Sequence, residues 1–265
     1  MKISVVTISF NQARFLRECM DSVLGQNHDD VEYIVVDAGS TDGSRGIIDS
    51  YGNRVVSIFE ADSGPADGLN KGFARASGDL FCYLNSDDTF LPEAFSTVAA
   101  YFLTHANVDV VRGHGNVIDQ SGRAWRRVYS DSFSLGAVAY GACLSVQPST
   151  FFRAASFRRV AGFNVKNRSN WDGELLVDMA LAGARIASLN RFLSSYRIHR
   201  DSITGTGRLD AAHKEYALRM IEKIKGRPYR QTDRAYAIAY RLLKHGRHPR
   251  ASAERLMHGP VYRSA

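Results

Sequence analysis

Two aspartates stand side by side at positions 87 and 88, where the apolar run Leu80-Phe81-Cys82-Tyr83-Leu84 stops on Asn85-Ser86-Asp87-Asp88. Adjacent carboxylates repel, and the repulsion grows where water is scarce. A buried strand that ends this way places negative charge where a cation can relieve it. Mg²⁺ and Mn²⁺ prefer oxygen ligands and commonly bind through one or two carboxylates together with substrate phosphates. The pair therefore points to a metal–diphosphate site with Asp87 and Asp88 as ligands. Similar polar groups end the other apolar runs. Thr7 and Asn11 close the first, Asp37 ends Glu32-Tyr33-Ile34-Val35-Val36, and Asp62 follows Glu60-Ala61. Singly, such residues are ordinary turn formers and caps. Their recurrence at strand after strand is what carries information.

A different chemistry is available in Asn170-Trp171-Asp172-Gly173-Glu174. Asp172 opens an amphipathic helix, whose N-terminus favours an anion. A single carboxylate so placed can take a proton from an attacking hydroxyl. It can equally be a helix cap, with Glu174 the alternative acid.

These residues need a scaffold. Apolar runs over 3–9, 32–37, 55–60, 80–84 and 108–113 alternate with helical patterns. Asn11 is placed to cap the first helix, in which Phe15, Leu16, Cys19, Met20, Val23 and Leu24 recur at helical spacing. Further helices fall over 44–51, 65–76 and 93–104. Strand–helix alternation predicts an α/β fold with a mostly parallel sheet. Ligands then bind outside the carboxyl ends of the strands, the edge that holds the acids. After Gly115 the pattern changes. A hairpin is expected from 116–118 and 123–129, an irregular stretch over 130–170, a helix over 171–182 and a late strand over 192–198. Beyond Arg208 two helices are expected, one with the apolar stripe Tyr236, Ala239, Tyr240 and Leu243 bordered by Arg234, Arg241 and Lys244.

Composition narrows the class. With 45% hydrophobic and 23% charged residues in 265, a large core is available to one domain plus an appendage. No run approaches the ~20 apolar residues of a membrane span. Met1-Lys2 leads straight into a strand pattern, so no secretory signal is expected. Scattered Cys19, Cys82 and Cys143 read as reduced core thiols of a cytoplasmic chain. The net charge of +7 is uneven: residues 1–207 hold 20 basic and 22 acidic side chains, residues 208–265 hold 14 and 5. Basic character therefore belongs to a tail.

The ordered blocks Val5-Val6-Thr7-Ile8-Ser9-Phe10-Asn11, Val35-Val36-Asp37-Ala38-Gly39-Ser40-Thr41-Asp42-Gly43-Ser44, Glu60-Ala61-Asp62-Ser63-Gly64, Asn70-Lys71-Gly72 and Leu84-Asn85-Ser86-Asp87-Asp88 resemble the family 2 glycosyltransferases of GT-A fold. The last two blocks look most like bacterial members that build capsular, colanic-acid-type and other exopolysaccharides. The resemblance spans roughly residues 1–205, in order and at sensible spacing. It implies a Rossmann-like catalytic domain over 1–207, with a nucleotide-sugar half (1–113) and an acceptor half (114–207), followed by a basic helical extension over 208–265.

The resemblance also implies roles. Thr7, Asn11, Asp37, Asp62 and Ser86 would lie on the donor nucleotide, most simply a UDP-sugar. Asp87 and Asp88 match a DXD-type motif carrying Mn²⁺ or Mg²⁺, although Asn85 replaces its first acid. Lys71 would reach a phosphate or stand as a solvated helix lysine. Asp172 matches the family's base. Gln147 and Trp171, with Glu174 as second acid, would face the acceptor. Arg197 would neutralise the leaving diphosphate, and His199 would touch metal or phosphate or be a surface histidine without a role. Ser202-Ile203-Thr204-Gly205 resembles the family's C-terminal loop.

The implied reaction is inverting sugar transfer to a glycan or polyprenyl-diphosphate-linked acceptor. The basic tail would then lie near an anionic membrane face, placing the protein peripherally on the inner side of the plasma membrane. Nucleic acid is not expected, because no recognition motif accompanies the charge. A nucleotidyltransferase would usually carry a glycine-rich loop after its first strand, and Phe10-Asn11-Gln12-Ala13-Arg14 has no glycine. A non-catalytic sugar-nucleotide sensor is disfavoured by the intact acids at 37, 87, 88 and 172.

Overall fold

The computed structural model describes residues 1–199 and 210–259. Its first half alternates as expected: β1 (Ile3–Ser9), α1 (Ala13–Leu24), β2 (Val31–Asp37), α2 (Ser44–Asp49), β3 (Val56–Phe59), α3 (Pro65–Arg75) and β4 (Leu80–Asn85). The two-residue β5 (Thr89–Phe90), α4 (Ala94–Thr104), β6 (Val110–Ile118) and β7 (Ala124–Val128) follow. Then come α5 (Leu135–Ala139), β8 (Thr150–Arg153), α6 (Ala154–Arg159), α7 (Trp171–Leu181) and β9 (Ile186–Arg197). The tail holds α8 (Asp210–Lys225), α9 (Asp233–Arg247) and α10 (Pro249–His258), three helices instead of two.

One sheet runs in the order β3-β2-β1-β4-β8-β6-β9-β5, with β7 paired to β6. The block β3-β2-β1-β4 is parallel throughout. Beyond it β8 is antiparallel to both β4 and β6, while β6 and β9 are parallel. The period of two sorts each strand between two cores. Cys82 and Leu84 of β4 pack with Leu16, Met20, Phe95 and Phe102 under α1 and α4. Phe81 and Tyr83 pack with Leu69, Phe73, Phe157 and Met179 under α3, α6 and α7. The result is an α/β/α sandwich whose carboxyl edge collects the polar loops.

The tail helices dock on the second half. Tyr140 donates to Asp233 at 3.1 Å, Arg227 grips the same carboxylate at 2.7 and 2.8 Å, and Lys244 pairs with buried Asp131 at 2.5 Å. The inward row of α9 is Asp233, Ala237, Tyr240 and Lys244, so the expected stripe is split. Tyr240 packs inward, while Ala239 and Leu243 face solvent. Among the described residues no helix is long and apolar enough to cross a membrane.

Candidate active site

The acids at the carboxyl edge form two groups. On the β2–β3 side Asp37 is fully buried and accepts from the backbone of Gly39 (3.0 Å) and Ser40 (2.8 Å), the Ser40 hydroxyl (2.5 Å) and Arg45 Nε (3.1 Å). Burial alone would raise its pKa; these donors outweigh it and hold the carboxyl below its ordinary range. Asp62, which feels the charges of Asp67 and Asp37, is raised, chiefly by burial. Gly68 of α3 makes room for it: a Cβ there would lie 2.6 Å from Asp62 Oδ2.

Asn11 takes a left-handed φ of 53°. Its amide oxygen accepts from Thr41 N (2.9 Å) and its backbone N donates to Ser40 Oγ (2.8 Å), knitting the loops after β1 and β2 together. It is not the cap of α1. Asp42 serves that helix end instead, accepting from Ala13 N at 2.8 Å. Thr7 is buried and turned under the sheet, where it accepts from Tyr33 Oη at 3.0 Å. Lys71 donates to the Ala61 carbonyl at 2.5 Å and lies 3.9 Å from both Glu60 and Asp67.

The second group surrounds β4's end. Asp88 is buried, accepts from Arg197 N (2.9 Å), and has its pKa pushed well up by burial and by the Asp87 charge. Asp87 Oδ2 lies 3.0 Å from His199 Nε2. Ser86 is buried in the turn between. Arg197 does not point outward. Its Nε donates to the Asp87 carbonyl (2.9 Å), Nη1 to the Asp119 carbonyl (2.8 Å) and Nη2 to Glu18 (2.7 Å), and its guanidinium stacks on Phe15. The residue is a strut that ties β9 and α1 to the aspartate turn. Gln147 bridges Asn85 and the Tyr83 carbonyl, each at 3.1 Å.

Asp172 lies in the first turn of α7, where burial raises its pKa. Among the described residues no lysine, arginine or histidine pairs with it. It lines a narrow pocket with Tyr83, Ser145, Gln147 and Thr150. Tyr83 is buried, and its hydroxyl lacks a hydrogen-bond partner among the described residues. The hydroxyl is held up by burial first and then by the charges of both Asp172 and Asp88. One side chain therefore senses both the aspartate turn and the lone carboxyl. Trp171 packs its ring 5.4 Å from Tyr83 and 5.5 Å from Phe163, within the core. Glu174 faces the other way, into Asn164, Asn167, Arg219 and Lys223. Residues 202–205 lie outside the described residues.

Several participants carried no local signal. Glu18 meets Arg197 across 179 positions. Tyr216 of α8 lies over the start of α7, where a Cβ on Gly173 would come 2.6 Å from its hydroxyl. The basic tail thus contributes a wall beside Asp172.

Asp87 and Asp88 are the residues that would hold a hard cation here. Among the described residues no three His, Cys, Asp or Glu side chains gather as a ready-made metal cage. Such an ion would complete its shell with diphosphate oxygens and water.

The sequence and the fold are similar to those of known proteins. The model of Glycosyl transferase family 2 matches residues 4–161. An uncharacterised glycosyltransferase of Nostoc sp. (strain PCC 7120) is 31% identical over 211 residues, covering 75% of this chain and 65% of the relative. A PGL/p-HBAD biosynthesis glycosyltransferase of Mycobacterium tuberculosis is 28% identical over 176 residues, 64% of this chain and 66% of the relative. The chain thus spans just under two thirds of these relatives. The fold matches S. aureus TarS in complex with UDP-GlcNAc at a TM-score of 0.70 and 18% identity, over 98% of this chain and 77% of that one. It also matches a mannosyltransferase of Pyrobaculum calidifontis in complex with GDP-Man and Mn²⁺, at 0.64 and 16%, over 98% and 76%. The fold is that of the GT-A glycosyltransferases, and with the family model matched across the β1–α6 region, the chain belongs to glycosyl transferase family 2.

Proposed function

We propose that the protein is an inverting glycosyltransferase that moves a sugar, hexosyl or N-acetylhexosaminyl, from a UDP-sugar to a hydroxyl of a glycan or lipid-linked acceptor in cell-surface polysaccharide biosynthesis. The observation that carries the reading is Asp172: a desolvated carboxyl at a helix N-terminus, without a cationic partner among the described residues, in the same electrostatic field as Asp88. The UDP-GlcNAc bound by S. aureus TarS supports a uridine donor.

The donor base lies against Asp37, with Asn11, Ser40 and Asp62 completing the nucleotide side. Asp87 and Asp88 would hold Mn²⁺ or Mg²⁺, which supplies charge neutralisation of the leaving diphosphate. His199 orients Asp87, and Arg197 fixes the turn from behind. Asp172 accepts the proton of the acceptor hydroxyl as its oxygen attacks the anomeric carbon. The bond from that carbon to the diphosphate oxygen breaks on the opposite face, and one displacement inverts the centre. A general base of this kind contributes ~10²–10⁴-fold. The acceptor is reached from the cytoplasmic side, at the membrane face where lipid-linked glycans are extended.

Calorimetric titration of UDP with Mn²⁺ and with EDTA tests the donor half. The expected result is metal-dependent binding that is lost in Asp88→Ala. Asp172→Asn should bind UDP normally and lose transfer. No UDP binding with metal present would remove the uridine donor, and full transfer by Asp172→Asn would remove the base.

A further inference from the structure

α9 and α10 are joined by His248 alone, which follows the last residue of one and precedes the first of the other, so their relative orientation is set by a single residue. On α9 the row opposite Asp233, Ala237 and Tyr240 is Ala235, Ile238, Ala239 and Leu242, all exposed, with Ile238 at 53% and Leu242 at 68%. On α10, which turns Ala251 inward, the opposite row includes Ala253, Leu256 and Met257, with Leu256 at 88% and Met257 at 68%. Two consecutive helices therefore turn leucine, isoleucine and methionine outward, while α9 keeps Asp233, Ala237, Tyr240 and Lys244, and α10 keeps Ala251, against the protein. That is the reverse of an ordinary surface helix.

The charge around these rows has one sign. Arg234, Arg241, Arg247 and Arg250 are exposed, and none has an ion-pair partner among the described residues. Of the two acids of these helices, Asp233 is buried with Arg227, and Glu254 is half-buried, 3.5 Å from His258. Exposed apolar side chains fringed by unpaired arginines complement a surface with an apolar interior and anionic headgroups. A second copy of this chain would bring the same arginines against each other, which disfavours self-association through this face.

We propose that the outward faces of α9 and α10 dock the protein on an anionic lipid bilayer, with Ile238, Leu242, Leu256 and Met257 entering the headgroup region and the four arginines lying on the phosphates. The docking also has a route to the site. Through α8 the same tail delivers Tyr216 to the start of α7, and Arg219 and Lys223 to Glu174. Docking itself does not rest on the transferase reading, which is tested separately.

The test is co-sedimentation of the full chain with sucrose-loaded vesicles of phosphatidylglycerol and phosphatidylcholine, against pure phosphatidylcholine. UDP affinity with Mn²⁺ is measured in parallel. Binding should require the anionic lipid. Leu242→Glu with Leu256→Glu should reduce it roughly tenfold or more, and replacing the four arginines by Gln should do the same, with circular dichroism and UDP affinity unchanged in both. Equal sedimentation with both vesicle types, or unchanged binding in the leucine variant, would overturn the proposal. So would a concentration-dependent dimer abolished by Leu242→Glu, which would make a second copy the occupant. Vesicle binding without UDP binding would leave the docking standing and sink the uridine donor instead.

Discussion

Arg197→Lys separates two roles that one arginine could play. The buried guanidinium donates to the Asp87 carbonyl, the Asp119 carbonyl and Glu18 at 2.7–2.9 Å. A lysine keeps the charge but presents one compact ammonium in place of a planar fork. It can satisfy one carbonyl and must abandon the other. A buried hydrogen bond to a charged donor contributes about 1.5–3 kcal/mol. The lost Glu18 pair adds little, because that glutamate is half-exposed. The expected destabilisation is therefore about 2–3 kcal/mol, which in a domain of this size lowers Tm by about 5–10 °C. Urea unfolding and thermal melts read it directly. Metal-dependent UDP binding should weaken with it, since the aspartate turn loses its support. In EDTA the variant and the wild type should distinguish UDP from UMP equally. The strut is refuted if Arg197→Lys melts like the wild type yet loses UDP over UMP in EDTA, because only direct contact with the second phosphate would do that.

Three further outcomes follow from the same geometry. Gly68→Ala would push a methyl to within 2.6 Å of Asp62 Oδ2 and 3.2 Å of Ile8 Cγ2, so it should weaken UDP binding by about tenfold or more while Asp62→Asn at the same site weakens it similarly; calorimetry showing wild-type affinity would exclude Asp62 from the nucleotide. Burial and Asp87 raise the Asp88 pKa, so its ionised form opposes folding when no cation is present. Asp88→Asn should therefore melt higher than wild type in EDTA at neutral pH, by about 2–4 °C for each kcal/mol relieved, and should lose the stabilisation that Mn²⁺ with UDP gives the wild type. Burial also raises Asp172. A base must be ionised, so kcat/KM should fall as pH drops through a pKa above the ordinary 3.8, and a limb at or below that value would point to another group.

The acid-ended strands were legible because each signal was local. An apolar run closed by Asp37 or by Asp87-Asp88 declares its own end, and the alternation of runs with helices fixes which edge those ends share. What escaped was set by distant contacts. β8 is a four-residue strand whose Phe151 and Phe152 face opposite cores, so it shows no alternation, yet it joins β4 to β6. β6 runs on through Gly113 and Gly115 to Ile118, past the strand end expected at 113. At Gly113 a Cβ would lie 2.9 Å from the Arg191 carbonyl oxygen, so the glycine serves the close approach of β9. Asn11 looked like a cap because it precedes α1; a positive φ and a partner in the β2 loop turn it elsewhere. Nothing near Arg197 in the sequence could say that it points inward to Glu18. In the tail the stripe was sought among apolar residues of α9, whereas polar Asp233 and Lys244 share the inward row with Ala237 and Tyr240.

Asp172 and Glu174 show how far a two-residue separation can divide chemistry. Both lie in the first turn of α7, and on residue type alone either could serve as base. Burial pushes both toward the protonated form. For Glu174 four side chains answer: Asn164 at 3.1 Å, Asn167 at 2.7 Å, Arg219 at 2.8 Å and Lys223 at 3.1 Å, which together hold its pKa below the ordinary value. Among the described residues Asp172 receives only backbone N–H groups of its own turn, and its pKa stays raised. A carboxylate saturated with cations is a poor proton acceptor, because protonation would discard those bonds. One that is desolvated and lacks a counter-ion gains by taking a proton. The helix therefore assigns its two acids by environment. Glu174 anchors the loop at 164–167 and the tail to α7, and that anchoring keeps cations occupied one turn away from Asp172. Removing Glu174 should then cost stability before it costs chemistry. It would also free Arg219, while Lys223 kept its pair with Asp178; the released guanidinium charge near Asp172 would lower the very pKa on which proton acceptance depends.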